Sequence, residues 1–201
     1  MTVQPYQYAP LPPSQRSIRI LELSAGQGTD ALRGTLHAAD LDEDPAYEAI
    51  SYVWGPSQPP DMVFQLFVGE TFLPMTSSLD KALRRLRRPT ETRRLWADAI
   101  CINQVDETEK SIQVRMMGDI YRKSSRTLVC LTADVKLPMH LRDPENKPVV
   151  NTKDLNILVA AFTQPWFKRA WVVQEYVVSP RCTFIMEIMS LIGTSSSICL
   201  G

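Results

Sequence analysis

Three stretches of the sequence set polar side chains among large aromatics where a plain hydrophobic core would carry none. Residues 47–55 place Ser51 beside Tyr52 and Trp54. Residues 95–104 carry Asp98 inside an apolar run and close on Asn103 and Gln104. Residues 166–175 space Trp171 and Glu175 four apart, which puts both on one helical face. Other chemistry finds little footing. The two histidines, His37 and His140, stand apart, and Cys101, Cys130, Cys182 and Cys199 form no Cys-x-x-Cys pair, so no metal site is expected. The cysteines are read as reduced, buried small hydrophobes. Neither a Gly-x-Ser-x-Gly elbow nor a Gly-x-x-x-x-Gly-Lys loop occurs.

Two motifs invite a ligand and fail on inspection. Gly26-x-Gly28-x-x-Ala31 follows an apolar segment as a dinucleotide fingerprint should, but the helix that must receive the pyrophosphate is short and holds Gly34. A plain turn is the better reading. Asp40, Asp42 and Asp44 open like a calcium loop, yet Pro45 sits where glycine must turn the chain and Ser51 where a bidentate glutamate belongs. That segment is expected to be a surface loop.

The elements that must position the three stretches follow from periodicity. Residues 18–23 alternate apolar and polar as a half-buried strand. Residues 47–54 are rich in β-formers and stop at Gly55-Pro56, which predicts a central strand. Residues 63–68 and 71–73 flank Gly69-Glu70 as a small hairpin decorating the core. Leu79, Ala82, Leu83 and Leu86 repeat at helical spacing behind Ser77 or Ser78 as cap, with Pro89 as terminator. Residues 95–102 read as one buried strand. A second helix is capped by Asp106 with Glu109 three residues on, and its apolar face is Ile112, Met116, Met117, Ile120 and Tyr121. Residues 127–131 form another short strand, 133–150 a loop, Leu155, Leu158, Val159 and Phe162 a helical face, and 166–178 a final helix opened by Pro165.

Alternating strands and helices imply an α/β fold with a mainly parallel sheet flanked by helices on both faces. Function in such sheets sits at the carboxyl ends of the strands. Here those ends are 51–55, 98–104 and the region after Leu131.

The chain has 201 residues, 44% of them hydrophobic, which is enough for one core; 22 Lys plus Arg balance 22 Asp plus Glu, so nucleic acid is not an expected partner. The apolar runs are shorter than the roughly 20 residues of a membrane helix, so no membrane span is expected. Residues 1–15 are read as a disordered, proline-rich leader without a secretory signal, and the protein is expected to be cytoplasmic.

Those three stretches, together with Gln113-Val114-x-x-Met117-x-x-Ile120-Tyr121, closely resemble the fungal heterokaryon incompatibility (HET) domain over about residues 18–178. The resemblance implies fungal non-self recognition, in which fusion of unlike cells triggers programmed death. The HET domain in turn is similar to the Toll/interleukin-1 receptor (TIR) domain, which implies a TIR-like, flavodoxin-like three-layer architecture. In that comparison Glu175 falls where TIR enzymes place the glutamate that cleaves NAD. Glu175 is thereby the catalytic candidate of an NAD glycohydrolase, with Ser51, Trp54, Asp98, Asn103, Gln104 and Trp171 as substrate-binding candidates. NAD would be substrate, with no cofactor, and self-association or partner signalling domains are the expected partners.

Two departures from the family stand out. Cys130-Leu131-Thr132 replaces the usual Trp-Leu-Gly, and residues 179–201 read as an atypical, truncated tail after the domain at 16–178.

Structural alternatives stay open at each site residue. The tryptophans can be core, and Asp98 can cap a turn or pair with an arginine. Asn103 and Gln104 can satisfy loop backbone, and Glu175 can form a salt bridge to Arg169 or another cation. The whole can equally be a non-enzymatic interaction module or an inactive fragment.

Overall fold

A computed structural model of the chain describes residues 3–12, 16–55, 64–131, 165–169, 172–189 and 195–200. The expected helical face at 155–162, the loop at 133–150 and Trp171 lie outside the described residues.

A ten-stranded sheet forms the frame, in the order β1-β6-β5-β3-β2-β7-β4-β8-β9-β10. In chain order the strands are β1 (Gln4–Pro5), β2 (Ser17–Leu23), β3 (Leu32–Asp40), β4 (Glu48–Tyr52), β5 (Phe64–Val68) and β6 (Thr71–Met75). They continue with β7 (Arg93–Trp96), β8 (Thr127–Cys130), β9 (Cys182–Met189) and β10 (Ser195–Leu200). Four helices accompany them: α1 (Ser77–Leu86), α2 (Asp98–Cys101), α3 (Glu107–Lys123) and α4 (Val172–Val177). Two 3-10 turns, Leu41–Glu43 and Pro165–Lys168, complete the set among the described residues.

The fold is α/β, but the sheet is mixed rather than mainly parallel. β7, β4, β8 and β9 run parallel to one another, whereas β2 lies antiparallel to both β3 and β7, and β5 antiparallel to β6. The cause is local. Gly26 and Gly28 turn the chain straight from β2 into β3, so the fingerprint segment is a hairpin turn with no helix after it. Its carbonyls are also wrongly disposed for phosphate: Arg84 and Arg87 donate hydrogen bonds to the carbonyls of Gly28 and Asp30, and Arg87 also to that of Ala31. The β5–β6 hairpin forms as predicted around Gly69-Glu70, yet it joins the sheet through parallel pairing of β5 with β3 instead of decorating it.

The leader is placed against the body rather than left free. β1 pairs in parallel with β6, and the Tyr8 hydroxyl donates 2.8 Å to the Ile100 carbonyl. The Arg19 guanidinium sits 4.9 Å from the Tyr8 ring centroid while donating 2.7 Å to the Ala9 carbonyl. Part of the expected tail, β9, pairs in parallel with β8.

The helices obey their sequence signals with informative exceptions. α1 buries Leu79, Ala82, Leu83 and Leu86, but its cap is Thr76, whose hydroxyl accepts from the Leu79 amide at 3.3 Å. It ends at Leu86, with Arg87 already extended and Pro89 close behind. Asp106 caps α3 by accepting from the amides of Thr108 and Glu109, both at 3.0 Å. Ile112, expected on the apolar face, is 42% exposed, and Gln113 takes the inward position, donating 2.8 Å to the Ser17 carbonyl.

Residues 95–102 do not form one strand: β7 stops at Trp96 and α2 begins at Asp98, whose carboxylate accepts from the Ala99 amide at 2.8 Å. An apolar run of that length fits strand or helix equally, and the acid decides where it breaks. The final helix likewise divides into the 3-10 turn at Pro165–Lys168 and α4.

One core cluster unites β2, β4, β7, α1, α2 and α3, with Trp96 and Tyr121 meeting edge-on at 5.7 Å. No helix among the described residues is long and apolar enough to cross a membrane.

Candidate functional site

Because β4 lies between β7 and β8 and parallel to both, the carboxyl ends of three strands converge. Tyr52 to Gly55 follow β4, Ala97 and Asp98 follow β7, and Leu131 follows β8. Gly55 takes φ +77°, and a Cβ there would stand 2.8 Å from the Ser78 hydroxyl. Glycine therefore lets the chain leave β4 sharply with Trp54 at the surface, 40% exposed.

At the centre of this end, Glu175 of α4 is buried, with 1% of its surface exposed. The Ser51 hydroxyl donates to its carboxylate through a short hydrogen bond, and the Trp166 indole N–H donates 2.6 Å to the Ser51 oxygen. Arg169 holds the other flank, donating 3.2 Å and 3.4 Å to the two carboxylate oxygens and 2.7 Å to the Tyr52 carbonyl. Burial pushes the Glu175 carboxyl above its ordinary range, and the nearby Asp98 charge adds to that push. Ser51 and Arg169 hold it back without reversing it.

Asp98 is the second acid. It is half-buried at the start of α2, accepting 3.0 Å from the Trp54 indole N–H as well as from Ala99. Burial raises its pKa against the opposing effects of those hydrogen bonds and of Arg169. Two tyrosines register the same pair of charges. Tyr121 and Tyr52 are raised well above 10, first by burial and then by the carboxylates: Glu175 and Asp98 act on Tyr121, and Asp98 on Tyr52. The Tyr52 hydroxyl is buried beside Asp98 and interacts with its carboxylate, which raises the tyrosine further and holds the acid back.

A cavity of about 300 Å³ opens beside this cluster, lined by Trp54, Asp98, Gln104, Lys110, Met117 and Arg169 among others. Asp98 and Arg169 reach it; Glu175 stands behind Arg169 and does not line it. The arrangement offers one carboxylate at the cavity wall, a second behind a guanidinium, and an exposed indole. A cation or a developing positive charge is the chemistry such a pair of acids can stabilise without metal. Among the described residues no cluster of three potential metal ligands occurs.

The sequence candidates divide accordingly. Ser51 and Glu175 are joined directly, and so are Trp54 and Asp98. Gln104 lines the cavity while donating 2.8 Å to the Asp98 carbonyl, so it serves the loop backbone as well. Asn103 turns away from this cavity: its backbone N–H donates 2.7 Å to Glu109 and its side-chain oxygen accepts from Val105 at 3.4 Å. Trp96 is core, and Trp166 is buried with its indole N–H turned onto Ser51. The salt bridge from Arg169 to Glu175, the structural alternative for that acid, is present.

Lys110, Tyr52 and the place of Arg169 at the cavity wall were not read from the sequence. Arg169 stood inside a quoted segment, and a cation six residues before a candidate acid was the available signal. Lys110 gave none, because its place at the cavity follows from how α3 lies on the sheet.

Comparison with known proteins is consistent with the position of the cluster. Residues 47–175 match the family described as Heterokaryon incompatibility protein (HET), a span that begins at β4 and closes on Glu175. Over 125 residues the chain is 42% identical to Heterokaryon incompatibility protein 6, OR allele, of Neurospora crassa. That similarity covers 57% of this chain and 18% of the relative, so the chain spans under a fifth of that protein's length. No solved structure matches.

Proposed function

This chain belongs to the heterokaryon incompatibility (HET) family, and from that premise we propose that it is a cytosolic effector of fungal non-self recognition, one that kills by cleaving NAD at the Glu175–Asp98 site. The observation that carries the reading is a buried glutamate with a raised pKa, bound by Ser51 and Arg169, directly behind a cavity that presents a second acid and an exposed indole. Two carboxylates with raised pKa beside one cavity, at the end of the sheet where parallel strands finish, are where a functional site is sought. The parallel part of the sheet, β7-β4-β8-β9, is the part a TIR-like relationship would use.

The chemistry needs little from the protein. The bond between nicotinamide and ribose breaks, its electron pair leaves with a neutral nicotinamide, and the ribose carbon gains oxocarbenium character. Water adds to that carbon and releases a proton, giving ADP-ribose. Asp98 and the Trp54 ring suit the cationic pyridinium of the bound substrate. Arg169 and Lys110 suit its phosphates. A pyrophosphate that recruits Arg169 competes with Glu175 for the guanidinium and frees the carboxylate to stabilise the ribose cation. Self-association of several copies would bring the domain to its active arrangement.

One observation favours a second reading, a non-enzymatic interaction module. The Glu175 carboxylate is satisfied on both sides, as a purely structural ion pair would be. Induced expression in a filamentous fungus separates the two when cell viability and cellular NAD are followed together. The enzymatic reading expects NAD to fall before viability in wild type and neither to fall with Glu175→Gln. Death with constant NAD would favour the module.

A further inference from the structure

A second cavity, of about 610 Å³, adjoins the first and shares Trp54 and Gln104 with it. Besides Trp54, its walls come from three separated parts of the chain: the leader with Tyr6 and Tyr8, the end of β6 with Met75, and α2 with the loop after it, including Asn103. The leader lies outside the span that matches the family, whereas β6 and the α2–α3 loop lie within it.

The wall is built rather than incidental. Tyr8 is held by three contacts: its hydroxyl on the Ile100 carbonyl, the Arg19 guanidinium over its ring, and Tyr6 set edge-on at 5.1 Å. Arg19 is itself clamped by Glu109 at 2.5 Å and 2.9 Å, and Glu109 also fixes the backbone of Asn103. One buried ion pair therefore sets both the aromatic side and the amide side of the cavity.

The two cavities differ in charge. Asp98, Lys110 and Arg169 line the smaller one, whereas no charged side chain lines the larger among the described residues. Aromatic faces, a methionine and the amides of Gln7, Asn103 and Gln104 line it instead. The Asn103 side-chain N–H₂ has no partner among the described residues, since only its oxygen is engaged. Rings that stack and amides that pair a donor with an acceptor are the set that recognises a neutral purine edge.

We propose that this larger cavity takes the purine base of a dinucleotide whose charged half occupies the smaller one, with the chain passing Trp54 and Gln104. The inference rests on the NAD reading for the second half of the ligand, and on the lining of the larger cavity for the first. The leader is then a wall of the binding site.

Two methionines make the cavities separately visible, because Met75 lines only the larger and Met117 only the smaller. The experiment is a titration of the full chain, labelled with methyl-¹³C methionine, with AMP, nicotinamide mononucleotide and NAD in turn. Met75→Leu and Met117→Leu assign the two signals. AMP should shift Met75 saturably and leave Met117 in place; the mononucleotide should do the reverse, and NAD should shift both. Tyr6→Ala and Asn103→Ala should each weaken AMP about tenfold, and the second leaves the leader intact. NAD cleavage with Met75 unmoved, or AMP shifting Met117 alone, would overturn the proposal while sparing the enzymatic reading. AMP binding at Met75 with NAD never cleaved would support the purine cavity and overturn that reading instead.

Discussion

Two buried glutamates meet arginines at opposite ends of the β4 region, and they respond in opposite directions. Glu48, at the start of β4, receives Arg93 at 2.5 Å and 3.0 Å and Arg126 at 2.6 Å. Burial pushes its pKa up, but the hydrogen bonds of two guanidiniums outweigh that and leave it lowered. Glu175, beyond the other end, has one arginine at longer range and a second acid close by, and its pKa is raised. An arginine–glutamate pair in a contact map does not identify a role. The balance of cations and anions around the acid tells the two apart: two cations on one carboxylate make a fastener and lower its pKa, whereas one cation beside two carboxylates leaves Glu175 raised.

The largest expected effect breaks the fastener. Glu48→Ala leaves Arg93, largely buried, without its partner and should lower stability by about 3 kcal/mol, read by urea unfolding. Glu175→Gln keeps acceptors and donors for Ser51 and Arg169, so it should cost less than about 1 kcal/mol. Equal losses at both positions would erase the distinction.

The pH dependence sharpens the contrast through its sign. A carboxyl raised in the folded state stabilises fully below its unfolded pKa, and that contribution is lost as pH rises through the folded value. For Glu175 the stability difference between wild type and Glu175→Gln should therefore decline as pH rises from the ordinary carboxyl value of 4.5. For Glu48 the contribution is present above 4.5 and lost as pH falls through the lowered folded value, so the difference from Glu48→Gln should grow with pH. Unfolding curves across the acid range measure both slopes.

A smaller effect tests the coupling itself. Asp98→Asn should lower the Glu175 midpoint and Arg169→Gln should raise it, read by carboxyl ¹³C resonances. The smallest is Trp54→Phe, which deletes the indole donor to Asp98 at a largely solvated position. It should cost under about 0.5 kcal/mol while raising the Asp98 midpoint.

Much of this was legible in the residues. Helical spacing located α1 and α3, β-rich composition located β4 and β8, and Gly69-Glu70 marked its hairpin. Ser51, Asp98 and Glu175 stood out as polar residues in aromatic runs, and they do converge. What stayed hidden depends on distant pairing. Strand direction on the β2 side follows from a turn read only as a failed fingerprint. The break at Ala97 hinges on one carboxylate choosing a backbone amide. Tyr8 meets Ile100 across 92 residues, a contact no local pattern records, so a proline-rich leader looked free.

Nicotinamide release from NAD by the purified full chain, at high protein concentration and with Glu175→Gln and Glu48→Gln alongside, tests the assignment of Glu175 most directly. Release by wild type and by folded Glu48→Gln, with none from Glu175→Gln, is the expected result. Equal release from Glu175→Gln, or no release from folded wild type even when oligomerised, would contradict it.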